Sequence, residues 1–166
     1  DDKQIPVEHP VPGDTYTFGN ASFTVLSPSK EYKDNNNNSI VIRLTYGNTT
    51  FLMTGDAEEE AEEDMLSSGL PLSADVLKLG HHGSSSSTSD DFLSAVDPTW
   101  AVISCAEGNK YGHPHAETMN KLRTAGVSVF RTDEQGTITA TTDGTTITWN
   151  ASPSETWQTG EGRSSE

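Results

Sequence analysis

Five histidines and a scatter of carboxylates are the side chains on which chemistry could rest. Thr54-Gly55-Asp56 sets a carboxylate where a strand gives way to a helix, at the carboxyl edge of a sheet, where open α/β folds usually hold ligands. An N-cap uses the same residue type, so the tripeptide alone reads either way. Gly80-His81-His82-Gly83 places two imidazoles on the same kind of edge, between glycines that let other groups approach closely. The pair points to a metal ligand or to acid/base work, since imidazole binds divalent metals and titrates near neutrality. Asn109-Lys110-Tyr111-Gly112-His113-Pro114-His115 follows the next strand. There His113 precedes a helix start, where it caps the helix or donates to an anionic oxygen. His113-Pro114-His115 also has the spacing of a metal-binding His-x-His. Ala116-Glu117-Thr118 follows where a binuclear motif would supply an Asp and another His, so the spacing is read as a decoy.

Three such segments act together only if a sheet gathers them. Residues 15 to 26 alternate polar and apolar positions around Gly19-Asn20 and predict a hairpin. Residues 27 to 38, ending in the run Asn35 to Asn38, predict a solvated surface loop. Ser39 to Tyr46 and Thr49 to Thr54 predict a second hairpin, rich in β-branched residues. Ala57 to Ser68 predicts a helix, with Glu58, Glu59 and Glu60 favoured in its first turn by the dipole. Strands are expected at 74–79, 100–104 and 127–130, and helices at 90–96 and 116–125, with Pro114 at a first helical position. Residues 136–142 and 145–149 close the fold as a hairpin. Alternation of strand and helix over 49–130, with hairpins at both ends, predicts an α/β fold with a mixed sheet. The three strand ends then meet in one cleft, where one aspartate and one or two histidines still make an incomplete metal site.

Composition narrows the function. The 166 residues suit one domain, divided here into an N-terminal extension (1–12), the domain proper (13–150) and a tail (151–166). The tail is expected to be disordered, because Trp157 is its one large apolar group. Nothing approaches the roughly 20 consecutive apolar residues of a membrane helix, residues 1–20 lack a signal-peptide pattern, and Asp1-Asp2 looks like a cut end. With 25 Asp and Glu against 10 Lys and Arg, the formal charge is −15, which repels phosphate backbones and disfavours non-specific nucleic-acid binding. Cys105, the single cysteine, cannot form an internal disulfide or a thiolate zinc cluster.

Taken together, several motifs carry a resemblance: Leu26-Ser27-Pro28, Asn38-Ser39, Phe51 to Asp56, Leu77 to Ser84, Ser104, and Asn109 to Pro114. From about residue 13 to 149 the chain resembles the second half of the ComEC-type branch of the metallo-β-lactamase fold. The first half, with its His-x-His-x-Asp-His motif, is absent from these residues. The resemblance implies half of an αββα sandwich and, in the full-length protein, two divalent metal ions, zinc or manganese. A hydroxide bridging them would attack a phosphodiester or a similar electrophile. By motif, Asp56 matches the bridging aspartate, and the His81-His82 pair matches the last histidine ligand, with His81 preferred because it lies nearer the strand end. His113 would be a catalytic donor to substrate, while Asn38, Ser39 and Ser84 would line the cleft.

The expected function is therefore part of a metal-dependent hydrolase acting on phosphodiester bonds or nucleic acid in DNA uptake. The resemblance further implies tethering to a membrane channel and a place outside the cytoplasmic membrane. Partners would be the missing N-terminal half and DNA or another phosphodiester. This chain alone is expected to be inactive and to bind metal weakly or not at all. The alternative is a non-catalytic binding module that has lost its metal site.

Overall fold

A computed structural model describes residues 6 to 160. Strands form where β-branched residues alternate: β1 (Thr15–Phe18), β2 (Ala21–Ser27), β3 (Val41–Tyr46) and β4 (Thr49–Met53) make an antiparallel meander. From β4 onward the sheet turns parallel. The strands β5 (Val76–Lys78), β6 (Trp100–Ile103) and β7 (Ser128–Arg131) add in sequence order, giving one seven-stranded mixed sheet. Each parallel step needs a crossover, supplied by α1 (Glu59–Ser67), α2 (Asp90–Val96) and α3 (Ala116–Thr124). This is the mixed α/β architecture that the strand and helix alternation predicts.

Register explains the core. Leu52, Leu77, Ala101 and Val129 stand side by side across the four parallel strands. Ala61 and Met65 of α1, Phe92, Leu93 and Val96 of α2, and Met119 and Leu122 of α3 pack with that row in one cluster. The flanking rows point to the opposite face, as the two-residue period of a strand requires. There a short helix α4 (Thr132–Gln135) leads to a separate hairpin, β8 (Ala140–Thr142) and β9 (Ile147–Trp149). Trp149 stacks on Phe130 with ring centroids 4.0 Å apart, and a cavity of about 460 Å³ opens beside it among Leu44, Phe51, Met53, Val76 and Val102.

Local expectations shift in five places. The Asn run is not a solvated loop: residues 36–38 form a 3₁₀ turn in which Asn37 is only 4% exposed. Its Oδ1 accepts the N–H groups of Glu58 and Ala61, at 2.9 and 3.3 Å, so α1 is capped from another segment and begins at Glu59 rather than Ala57. Pro114 lies outside α3, whose N-cap is His115, because the His115 N–H is committed to the Gly83 carbonyl at 3.0 Å. The closing hairpin is shorter than expected and does not extend the main sheet. Finally, residues 151–160 are not a disordered tail. Ser154 bridges to Val129 and Trp157 packs against the core, so one indole and a set of backbone bonds supply what composition alone did not suggest. Residues 161–166 of the expected tail, and 1–5 of the extension, lie outside the described residues.

Candidate functional site

Asp56 follows β4 at the carboxyl edge of the sheet. Two contacts place it: the Ser39 Oγ accepts the Asp56 N–H at 3.0 Å, and Gly55, at φ +58°, carries the chain past Ser39. A Cβ on Gly55 would stand 2.9 Å from that of Ser39, so only glycine allows the approach. The Gly55 carbonyl in turn accepts the His81 N–H at 3.1 Å, which ties the end of β4 to the loop after β5.

In that loop His81 and His82 both adopt left-handed backbone, φ 42° and 58°. Side chains rarely take this conformation, and its strain is typical of functional turns. Consecutive left-handed residues splay the rings toward different partners. The Nδ1 of His81 donates to Glu58 Oε1 at 2.8 Å. The Nδ1 of His82 donates to the Ser104 carbonyl at 2.6 Å, which leaves Nε2 facing Asp56 Oδ1 at 3.6 Å.

Glu58 is the site residue that sequence reasoning missed, because its place in an acidic run read as a dipole effect. Besides His81 it receives the Ser86 hydroxyl at 2.7 Å and the Asn36 amide at 3.3 Å. Burial alone would raise its carboxyl pKa, but these donors outweigh burial and hold it below the usual range. The bonding around Glu58 thus favours its carboxylate form beside His81.

His113 enters from the loop after β6. It is buried, and its ring lies 5.4 Å from that of His81, 6.1 Å from His82 and 4.7 Å from His115. Burial first, then the neighbouring imidazoles, push its pKa down to about 4, so it is neutral at physiological pH. Tyr111, 65% exposed, stacks against it at 5.7 Å. Beside them lies a cavity of about 340 Å³ lined by His82, Ser104, Cys105, Asn109, Tyr111 and His113. His115 is held elsewhere: its Nδ1 accepts the Ser85 N–H at 3.0 Å, and its Nε2 donates to the Tyr111 carbonyl at 3.0 Å.

The structure thus brings Asp56, His81, His82 and His113 together, but gives the expected cleft residues other work. Asn38 uses its amide to fold its own loop, with Tyr32 N–H and C=O each at 2.9 Å. Ser39 holds the backbone of Asp56, and buried Ser84 closes the serine turn against Ser86 at 2.9 Å.

A divalent cation fits part of this set. With the His82 proton committed to Ser104, an imidazole lone pair and a carboxylate face each other across 3.6 Å. That arrangement repels unless a cation lies between or His82 takes a second proton. Among the described residues no three His, Cys, Asp or Glu side chains are gathered to hold a metal ion. A zinc site normally takes three or four protein ligands, so one carboxylate and one imidazole facing each other fall short of a site by themselves.

No protein-family model matches the chain. Among characterised sequences it is similar to ComE operon protein 3 of Bacillus subtilis, 36% identical over 135 residues, which is 81% of this chain and 17% of that protein. It is likewise 38% identical over 125 residues to competence protein ComA of Neisseria gonorrhoeae, covering 74% of this chain and 18% of that protein. Recombination protein 2 of Haemophilus influenzae is 36% identical over 117 residues, 70% of this chain and 15% of that protein. These likenesses support a relationship to the competence family. The chain spans less than a fifth of the length of each relative. No described helix is long and apolar enough to cross a membrane.

Proposed function

We propose that this chain is one half of a metal-dependent hydrolase of the metallo-β-lactamase type, acting on phosphodiester bonds of DNA during its uptake. The observation that carries this reading is the Nε2 of His82, its tautomer set by Ser104, facing the Asp56 carboxylate. The relatives' names for competence and recombination support the DNA context.

Asp56 and His82 would hold the metal from this side, in place of the His81 that its nearness to the strand end favoured, because it is the His82 Nε2 that faces the carboxylate, while His81 would be oriented by Glu58 beside them. The remaining ligands would come from an upstream half. When bound, such metals lower the pKa of water and supply a nucleophile at neutral pH. Neutral His113 donates a hydrogen bond to an anionic oxygen of the substrate, and the cavity against Tyr111 receives the group flanking the scissile bond. We place the domain outside the cytoplasmic membrane, tethered to a membrane channel.

The test is hydrolysis of bis-p-nitrophenyl phosphate and single-stranded DNA by a polypeptide that includes the upstream half, with metal content measured in parallel. Asp56→Ala should lose metal and abolish turnover, while His113→Ala should slow turnover with metal retained. Full metal content and full rate in Asp56→Ala would overturn the assignment in favour of a binding module.

A further inference from the structure

We propose that residues 151–160 are a strap that positions His113, so that a segment distant in sequence sets the geometry of the site. The proposal rests on the reading of His113 as the group facing substrate.

The strap is latched at successive points. Ser154 donates its N–H to the Val129 carbonyl at 2.7 Å, alongside the last strand of the sheet. The Ser154 and Thr156 hydroxyls then donate to the two oxygens of Glu134, at 2.6 and 2.7 Å. Trp157, with its backbone at φ +53°, turns its indole onto the hydrophobic core. The Gln158 carbonyl accepts from the guanidinium of Arg131. That guanidinium is fully buried and is itself held by Asp133 at 2.9 and 2.6 Å.

The strap ends against the His113 loop. The Gly160 N–H donates to the Pro114 carbonyl at 2.9 Å. A Cβ on Gly160 would overlap the His113 carbonyl oxygen and come within 2.6 Å of the Gly112 backbone. From the other side Asn109 holds the same residue, accepting the His113 N–H at 3.0 Å and donating to the His113 carbonyl at 2.7 Å. The His113 backbone is therefore clamped between Asn109 and Gly160. Any side chain at position 160 must move that backbone or release the strap. Either outcome shifts the imidazole relative to Asp56 and His82, and a misplacement of about 1 Å can cost up to ~100-fold in rate.

Gly160→Ala and Trp157→Ala test this, with Trp157→Phe as the conservative control. In the isotopically labelled chain, the ring signals of His113 should move in both alanine variants, while the indole signal of Trp149, on the other sheet face, stays in place. In the polypeptide that includes the upstream half, kcat should fall about ten-fold or more with KM and metal content unchanged. Trp157→Phe should restore both readouts. If wild type shows no hydrolysis, the hydrolase reading fails and the His113 signals alone decide the strap. If Trp157→Ala does not fold, Gly160→Ala carries the test. A folded Gly160→Ala protein whose His113 signals coincide with wild type overturns the proposal.

Discussion

Two adjacent imidazoles take different partners because consecutive left-handed residues turn their side chains apart. His81 meets a carboxylate and His82 a carbonyl, each through Nδ1, and the Nε2 of His82 is left facing Asp56. Cys105 shows the opposite case, a reactive side chain withdrawn from chemistry. It lines the cavity beside His82, but burial, reinforced by the Asp133 carboxylate, pushes its thiol up to about 12 from an ordinary 9.0. The thiol, not the thiolate, is therefore the species present at physiological pH, which makes it a poor nucleophile there. Labelling of the native protein with a disulfide reagent should be slow throughout pH 7 to 9, because the thiolate fraction, although it rises about ten-fold per pH unit, stays far below that of an ordinary thiol. In urea the rate should be much higher at every pH in that window and begin to level off near pH 9, where the ordinary thiol titrates. Equal rates in the two states would contradict this assignment.

At the scale of elements, the site depends on segments that cap one another. The turn at 36–38 supplies Asn37 to the start of α1, and the next residue but one, Ser39, holds Asp56. One short turn therefore connects helix capping to placement of the carboxylate. Asn37→Ala would leave two N–H groups of α1 without their acceptor in a buried setting. It should destabilise the chain by about 1–2 kcal/mol, as cap removals do, measured as a shift in urea midpoint with unchanged slope. Asn37→Asp, which keeps an acceptor beside the helix start, should lose less. A midpoint for Asn37→Ala equal to wild type would mean that water replaces the cap.

For the molecule as a whole, the two faces of the sheet differ. Three helices cover one face, while the small β8–β9 hairpin leaves the other with a cavity among Leu44, Phe51, Met53 and Val76. Exposed apolar surface of this kind promotes association. The isolated chain should bind a hydrophobic dye and self-associate at high concentration by light scattering, and an added upstream half should suppress both. A strictly monomeric chain without dye binding would show that the hairpin closes this face by itself. The net charge of −15 resists aggregation and makes self-association stronger at high salt, where like charges are screened.

Local pattern was enough for the mixed α/β architecture and for the three chemical segments at strand ends, because alternation and strand–helix order are encoded within a few neighbouring residues. Motif spacing likewise singled out Asp56, the His81-His82 pair and His113. Partners distant in sequence were another matter. That Glu58 orients His81 and that Asn37 caps α1 both depend on which loops meet, and no local window contains both partners. The C-terminal segment shows the reason most plainly. Residues 151–160 have the composition of a tail, and they are ordered because Trp157 packs on the core and Arg131, Glu134, Val129 and Pro114, brought to one edge by the folded sheet, offer bonding partners in a row.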